Sequence, residues 1–92
     1  MRIVDKKLCQ SYQGRPCIIC GRHGVGHHVK SKGSGGDDTP QNLMPLCQNH
    51  HVEVHAKGLQ YFAMQYPSVK SFLEYYGYVR NEITGAYYLP KL

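Results

Sequence analysis

The stretch CQNHHVEVH, Cys47 to His55, carries one thiol and three imidazoles within nine residues, in a 92-residue chain with six histidines and four cysteines in all. Residues from Cys47 through Lys57 are helix-friendly, and Gly58 stands where a left-handed C-terminal cap would fall. On a helix, residues four apart share a face, so His51 and His55 are placed to hold one ion together. His50 is turned away from that pair, because each residue advances the helix by about 100°.

His50 instead stands three residues after Cys47, and this C-x2-H step matches the C-x2-C step of Cys17 and Cys20 in CIIC. Cys17, Cys20, Cys47 and His50 fill all four positions of a tetrahedral site, the composition of structural zinc. Such a site stabilises folding directly, which suits a single domain of this size, where a hydrophobic core alone leaves little to spare. Cys9 has no partner at ligand spacing and reads as a small buried or free thiol; it is the alternative to His50 as fourth ligand. His51 and His55 still need a third donor, and the chain offers His27 or His28. Three imidazoles with open positions describe a catalytic site rather than a structural one.

Outward from this stretch the pattern is strand, loop, strand, helix, an α+β arrangement in one domain spanning residues 1–92. Residues 1–16 mix charges with scattered apolar residues and end at Gly14 and Pro16, which reads as a short strand or turn. CIICGRHGVGHHVK predicts a knuckle followed by a strand through His27 to Lys30. The Gly, Ser, Asp and Pro content from about Lys30 to Gln41 makes a loop. Leu43 to Leu46 follows as an antiparallel strand, with Pro45 marking a sheet edge. Beyond Gly58 the spacing predicts a short helix at about 59–65 and another at about 68–76, with Pro67 in its first turn and Gly77 as its stop. Tyr78-Val79 and Ala86 to Leu89 flank a turn at Asn81 to Gly85, which gives a terminal hairpin.

Eleven Lys and Arg against six Asp and Glu leave a net charge of +5, so a polyanionic partner is expected. The chain shows neither a charged-then-apolar leader nor an apolar run near the roughly 20 residues that span a bilayer, so a cytoplasmic setting with no membrane partner is expected. In a reducing compartment the four cysteines are metal ligands rather than disulfides.

In this order the residues resemble a known family. His27-His28, then Asn42 ahead of an apolar strand, then His51 and His55 on a helix, are similar to the HNH motif of the ββα-metal nucleases, especially the nuclease domains of DNase colicins. Cys17, Cys20, Cys47 and His50 resemble the zinc frame of many phage and bacterial HNH endonucleases. The resemblance covers about residues 17–57 and leaves about 58–92 as a C-terminal extension. It implies the ββα-metal (HNH, His-Me finger) fold with a structural zinc knuckle, followed here by extra C-terminal helices and a short hairpin. It also implies metal-dependent hydrolysis of DNA, double-stranded DNA above all.

Carried over residue by residue, the resemblance implies that His27 binds the catalytic metal with His51 and His55, that His28 is the general base, and that Asn42 holds the loop so that the base is aimed. A histidine suits deprotonation of water near neutral pH, and one cation would stabilise the charge that develops as the phosphodiester breaks. Arg22, Lys30, Lys32 and Lys57 flank this region and are candidate phosphate contacts.

Two departures from the family pattern have consequences. Many members have Asp-His where this chain has His27-His28, and an all-nitrogen donor set disfavours Mg2+ relative to Mn2+, Ni2+, Co2+ or Zn2+. His50 replaces a cysteine of many relatives, a swap that still closes the zinc site. Adjacent residues on an ideal strand face opposite sides, so bringing His27 and His28 to one phosphate calls for a distorted strand near Gly24 and Gly26.

Other residues read more plainly. Asp37 and Asp38 are turn residues without a metal role, His23 is a surface or phosphate-contacting residue, and Glu53 faces away from the catalytic metal. Tyr75, Tyr76, Tyr78, Tyr87 and Tyr88 stack on bases or cover a small core with a wet edge. The rival functions are a zinc-stabilised module that binds nucleic acid without cutting, and a subunit of a larger phage or bacterial packaging or recombination machine. The surplus of ligands favours the enzyme, with a homodimer or rebinding needed for a second cut.

Overall fold

In the computed structural model, which describes residues 2–90, a helix forms where the sequence reads as strand or turn. Asp5 accepts a hydrogen bond from the Leu8 amide at 3.0 Å and caps α1, Lys6–Ser11. Six residues are too few to write a repeating apolar stripe, so the pattern along the chain does not disclose this helix. Tyr12, immediately after it, is buried, and the Arg15 guanidinium lies over its ring at 4.0 Å.

Two strands follow. β1, Gly24–His28, pairs antiparallel with β2, Leu43–Cys47, from Gly24 opposite Cys47 to His28 opposite Leu43. β1 stops two residues short of Lys30, although the Val29 amide still donates to the Asn42 carbonyl at 2.9 Å. In a sheet of two strands every strand is an edge, which accommodates Pro45. The Pro45 carbonyl accepts from the Ile18 amide at 3.0 Å and so fastens the Cys17 to Cys20 knuckle onto β2.

The connection between the strands is irregular but built. It contains two short 3-10 turns, Lys32–Ser34 and Pro40–Asn42. Gly36 is pressed against the start of the loop, where an added Cβ would lie 1.7 Å from the Lys30 carbonyl oxygen. Only a residue without a side chain permits that approach.

β2 leads directly into α2, Gln48–Lys57. Gly58, with a φ of +89°, breaks the helix and starts α3, Leu59–Gln65. Pro67 opens α4, Pro67–Tyr75, one residue ahead of the expected start. The hairpin of β3, Val79–Arg80, and β4, Tyr87–Tyr88, closes through Asn81, whose Oδ1 accepts from the amides of Ile83 and Thr84.

One core joins these parts. Met44 and Leu46 of β2, Val54 of α2, Phe62 and Ala63 of α3, Val69 and Leu73 of α4, and Tyr78 are buried together with Cys17 and Cys47. The C-terminal third therefore completes the core around the strand-strand-helix unit. The fold is α+β, and two residues of the expected zinc frame, Cys17 and Cys47, lie within its core.

Candidate active site

α2 supplies donors to two separate clusters. In the first, His50 Nδ1 lies 3.2 Å from Cys47 Sγ and 3.6 Å from Cys17 Sγ, and the sulfurs of Cys20 and Cys47 are 3.7 Å apart. Bonds of about 2.3 Å to a tetrahedral metal give sulfur-sulfur edges of about 3.8 Å, so these four donors fit one ion. Burial pushes the Cys17 thiol up, but backbone hydrogen bonds at Cys47, Cys20 and Ile19 outweigh it and hold the group at about 6. Cys17 is thereby biased toward the thiolate, the form that binds metal. The His50 ring stands edge-on to Phe62 and Tyr66, with centroids 6.4 and 5.5 Å away, which ties this frame to α3.

Cys9 is elsewhere. It lies beside His28 and Asp38 rather than with the other cysteines, so the alternative of Cys9 as fourth ligand is corrected in favour of His50. The cause is α1, which carries Cys9 to the loop between the strands.

The second cluster joins His27 of β1 with His51 and His55 of α2. Ring centroids are 5.0 Å apart for His27 and His51, 5.2 Å for His27 and His55, and 4.7 Å for His51 and His55. The Nε2 atoms of His51 and His55 are separated by 3.1 Å. Donors about 2.1 Å from one metal, at angles from square to tetrahedral, are about 3.0 to 3.4 Å apart, so this spacing also fits an ion. His27 is only 8% exposed. Its burial, then the neighbouring His51, His55 and His28, lower it from 6.5 to about 4. His51 is lowered as well, by burial and then by His55. At neutral pH His27 therefore keeps a lone pair available to a metal.

Glu53 is not part of this cluster. It accepts from the Tyr66 hydroxyl at 2.7 Å and pairs with Lys57 at 3.7 Å.

His27 and His28 end β1 without the expected distortion, since the register runs unbroken to His28. His27 joins the α2 histidines, whereas His28 Nε2 meets Asp38 Oδ1 at 2.8 Å. The strand's alternation separates them, and only their position at its last two residues leaves both near its end. Asn42 is buried, and its side chain is fully engaged. Its Oδ1 accepts from the Lys30 amide at 2.7 Å, and its Nδ2 donates to the carbonyls of Lys30 at 3.0 Å and Asp37 at 2.9 Å. One amide thus bridges the exit of β1 to the middle of the loop.

Asp38 is the residue at this site that the sequence reading misses. It is 4% exposed, more deeply placed than its reading as a plain turn residue requires. Besides His28, its Oδ1 accepts from Arg2 Nη2 at 2.7 Å, and its Oδ2 accepts from the Asp5 amide at 2.9 Å. The His28 bond first, then the Asp5 amide, hold its carboxyl at about 2 despite burial. The available signal was a pair of acids in a Gly- and Ser-rich loop ten residues after His28. The bonds themselves depend on the N-terminal arm, whose fold the sequence does not reveal.

The basic residues are dispersed. Arg22 borders a cavity of about 270 Å3 beside Cys20, Cys47, Asn49 and His50. Lys30 borders a larger cavity of about 510 Å3 that also touches Asn42, Tyr78, Tyr87 and Tyr88. Lys32 is exposed on the first 3-10 turn, while Lys57 leans on Glu53 and on the Tyr61 ring, 4.9 Å from its centroid. His23 is exposed and bridges to Pro16.

Residues 17–57 match the family model described as HNH endonuclease. The chain is also 34% identical over 58 residues to the uncharacterized protein YdfU of Escherichia coli (strain K12), an alignment covering 59% of this chain and 17% of YdfU. The chain thus spans under a fifth of that relative's length, 17%. No solved structure matches the chain.

Proposed function

We propose, on the premise that residues 17–57 form an HNH endonuclease domain, that this chain hydrolyses DNA phosphodiester bonds with the help of a divalent metal ion. The observation that carries the reading is the three-histidine cluster of His27, His51 and His55, formed separately from the Cys17, Cys20, Cys47 and His50 set. A non-catalytic zinc module needs only the latter.

In this reading the cysteine frame holds zinc, and His27, His51 and His55 hold the catalytic ion. A divalent ion held there would supply positive charge to offset the negative charge that develops as the phosphodiester breaks. His28 draws a proton from the attacking water, and Asn42 fixes the backbone that carries His28 against the loop. Lys30, Lys32 and Arg22 contribute phosphate contacts, with Lys57 less available because of Glu53. One site cuts one strand, so a nick is the first product.

The test is incubation of supercoiled plasmid with the protein and Mn2+ or Ni2+, beside His28→Ala. Wild type is expected to give open-circular DNA and the variant to leave the plasmid intact. Retarded but uncut plasmid with every ion would instead support the binding module, and equal cutting by both proteins would remove His28 from its role.

A further inference from the structure

We infer that Asp38 is the positioning residue of His28: its carboxylate fixes the ring with hydrogen on Nε2, which makes Nδ1 the nitrogen that receives the proton from water. This assignment deepens the nuclease reading and rests on it.

An ionised carboxylate only accepts hydrogen bonds. The 2.8 Å contact between His28 Nε2 and Asp38 Oδ1 therefore requires the hydrogen on Nε2, and the neutral ring keeps its lone pair on Nδ1. The carboxylate is itself immobilised. Arg2 Nη2 shares Oδ1 at 2.7 Å, the Asp5 amide donates to Oδ2 at 2.9 Å, and the Asp38 amide donates to the Ile3 carbonyl at 2.9 Å. The flanking residues are fastened too, with Arg2 Nε on the Gly36 carbonyl, the Ile3 amide on Asp37 Oδ1, and Asn42 on the Asp37 carbonyl. The loop is thus held from the N-terminal arm on one side and from Asn42 on the other.

Cys9, His28 and Asp38 are close enough to suggest a third metal site. The Arg2 guanidinium on Oδ1 argues against it, since an added cation would face that positive charge across a shared oxygen. The same buried negative charge instead favours the imidazolium that forms during catalysis.

The proton balance is simple. A water O–H bond breaks as Nδ1–H forms, the hydroxide oxygen bonds to phosphorus, and the P–O3′ bond breaks. The 3′ oxygen takes a proton from solvent, and Nδ1 later returns its own to solvent.

The experiment compares wild type with Asp38→Asn, Asp38→Glu and His28→Ala in kinetics, metal content and histidine 15N NMR. Asparagine keeps the shape but can donate its amide to Nε2, selecting the opposite tautomer, so kcat is expected to fall about 100-fold or more. KM and zinc content stay near wild type, Asp38→Glu recovers part of kcat, and NMR finds His28 hydrogen on Nε2 only while a carboxylate is present; Tm falls in Asp38→Asn because the Arg2 pair loses its charge. Wild-type kcat in Asp38→Asn, or hydrogen on Nδ1 in the wild type, overturns the inference. So does a fall in kcat with the His28 hydrogen still on Nε2 in Asp38→Asn, or one that follows a loss of metal. Failure of wild type to cut with any ion removes the nuclease reading and the proton-transfer role with it, and the NMR result then decides separately whether Asp38 fixes the ring.

Discussion

His50 and His51 adjoin in the chain yet present their rings to different donor sets: His50 Nδ1 lies 3.2 Å from Cys47 Sγ, and His51 Nε2 lies 3.1 Å from His55 Nε2. Losing either ring should therefore fail differently. On the proposal that the cysteine set holds structural zinc, His50→Ala is expected to lose that metal and most of the cooperative fold, because such zinc contributes about 10 kcal/mol or more in small zinc domains, comparable to total domain stability. His51→Ala is expected to keep its zinc and its melting transition while plasmid cutting falls at least about 100-fold. Metal analysis, circular dichroism and the plasmid assay on both variants check this, and similar losses in both would contradict two separate sites.

Asn42→Ala should destabilise the domain and impair cutting together. It strips partners from the Lys30 amide and from the carbonyls of Lys30 and Asp37. A buried backbone group left unpaired costs about 1 to 3 kcal/mol, so a loss of about 2 to 4 kcal/mol in urea unfolding is expected after partial rehydration. Unchanged stability would mean that the loop does not depend on this amide.

Stability should fall with pH at His27 when only the catalytic ion is removed. The folded group titrates at about 4 against 6.5 unfolded, so between these values the unfolded chain binds a proton that the folded chain refuses. The contribution is present above about pH 6.5 and lost as pH falls toward 4, by about 2 to 3 kcal/mol at most. Urea titrations of wild type and His27→Leu across this window isolate it, and a pH-independent difference between them would refute it.

Nitrogen donors set the expected metal ranking. With His27, His51 and His55 as the protein ligands, Mn2+, Ni2+, Co2+ or Zn2+ should support faster cutting than Mg2+ at equal concentration. Rates measured across these ions check the ranking, and full activity with Mg2+ alone would break it.

Much of both clusters is legible because helical rotation is a local rule. Cys47, His50, His51 and His55 are sorted by their spacing along α2, and the knuckle by its C-x2-C step. Asp38 and α1 are not legible in that way. α1 is short and buries none of its own residues, and Asp38 acquires its partners from Arg2 and Asp5, more than thirty positions away. The continuity of β1 is not legible for another reason. Two histidines with one task invite a distorted strand, whereas the loop comes to His28 and leaves the register intact.

The way the core is shared limits how this domain can be transplanted. The stretch that matches the family model supplies Met44, Leu46 and Val54, but Phe62, Val69 and Leu73 come from beyond it, and the arm that grips Asp38 comes from before it. A graft of residues 17–57 alone would bring every proposed ligand and leave them without their packing. The portable unit is the longer one, from the N-terminal arm through Tyr78 after α4, and chimaeras should be cut at its margins.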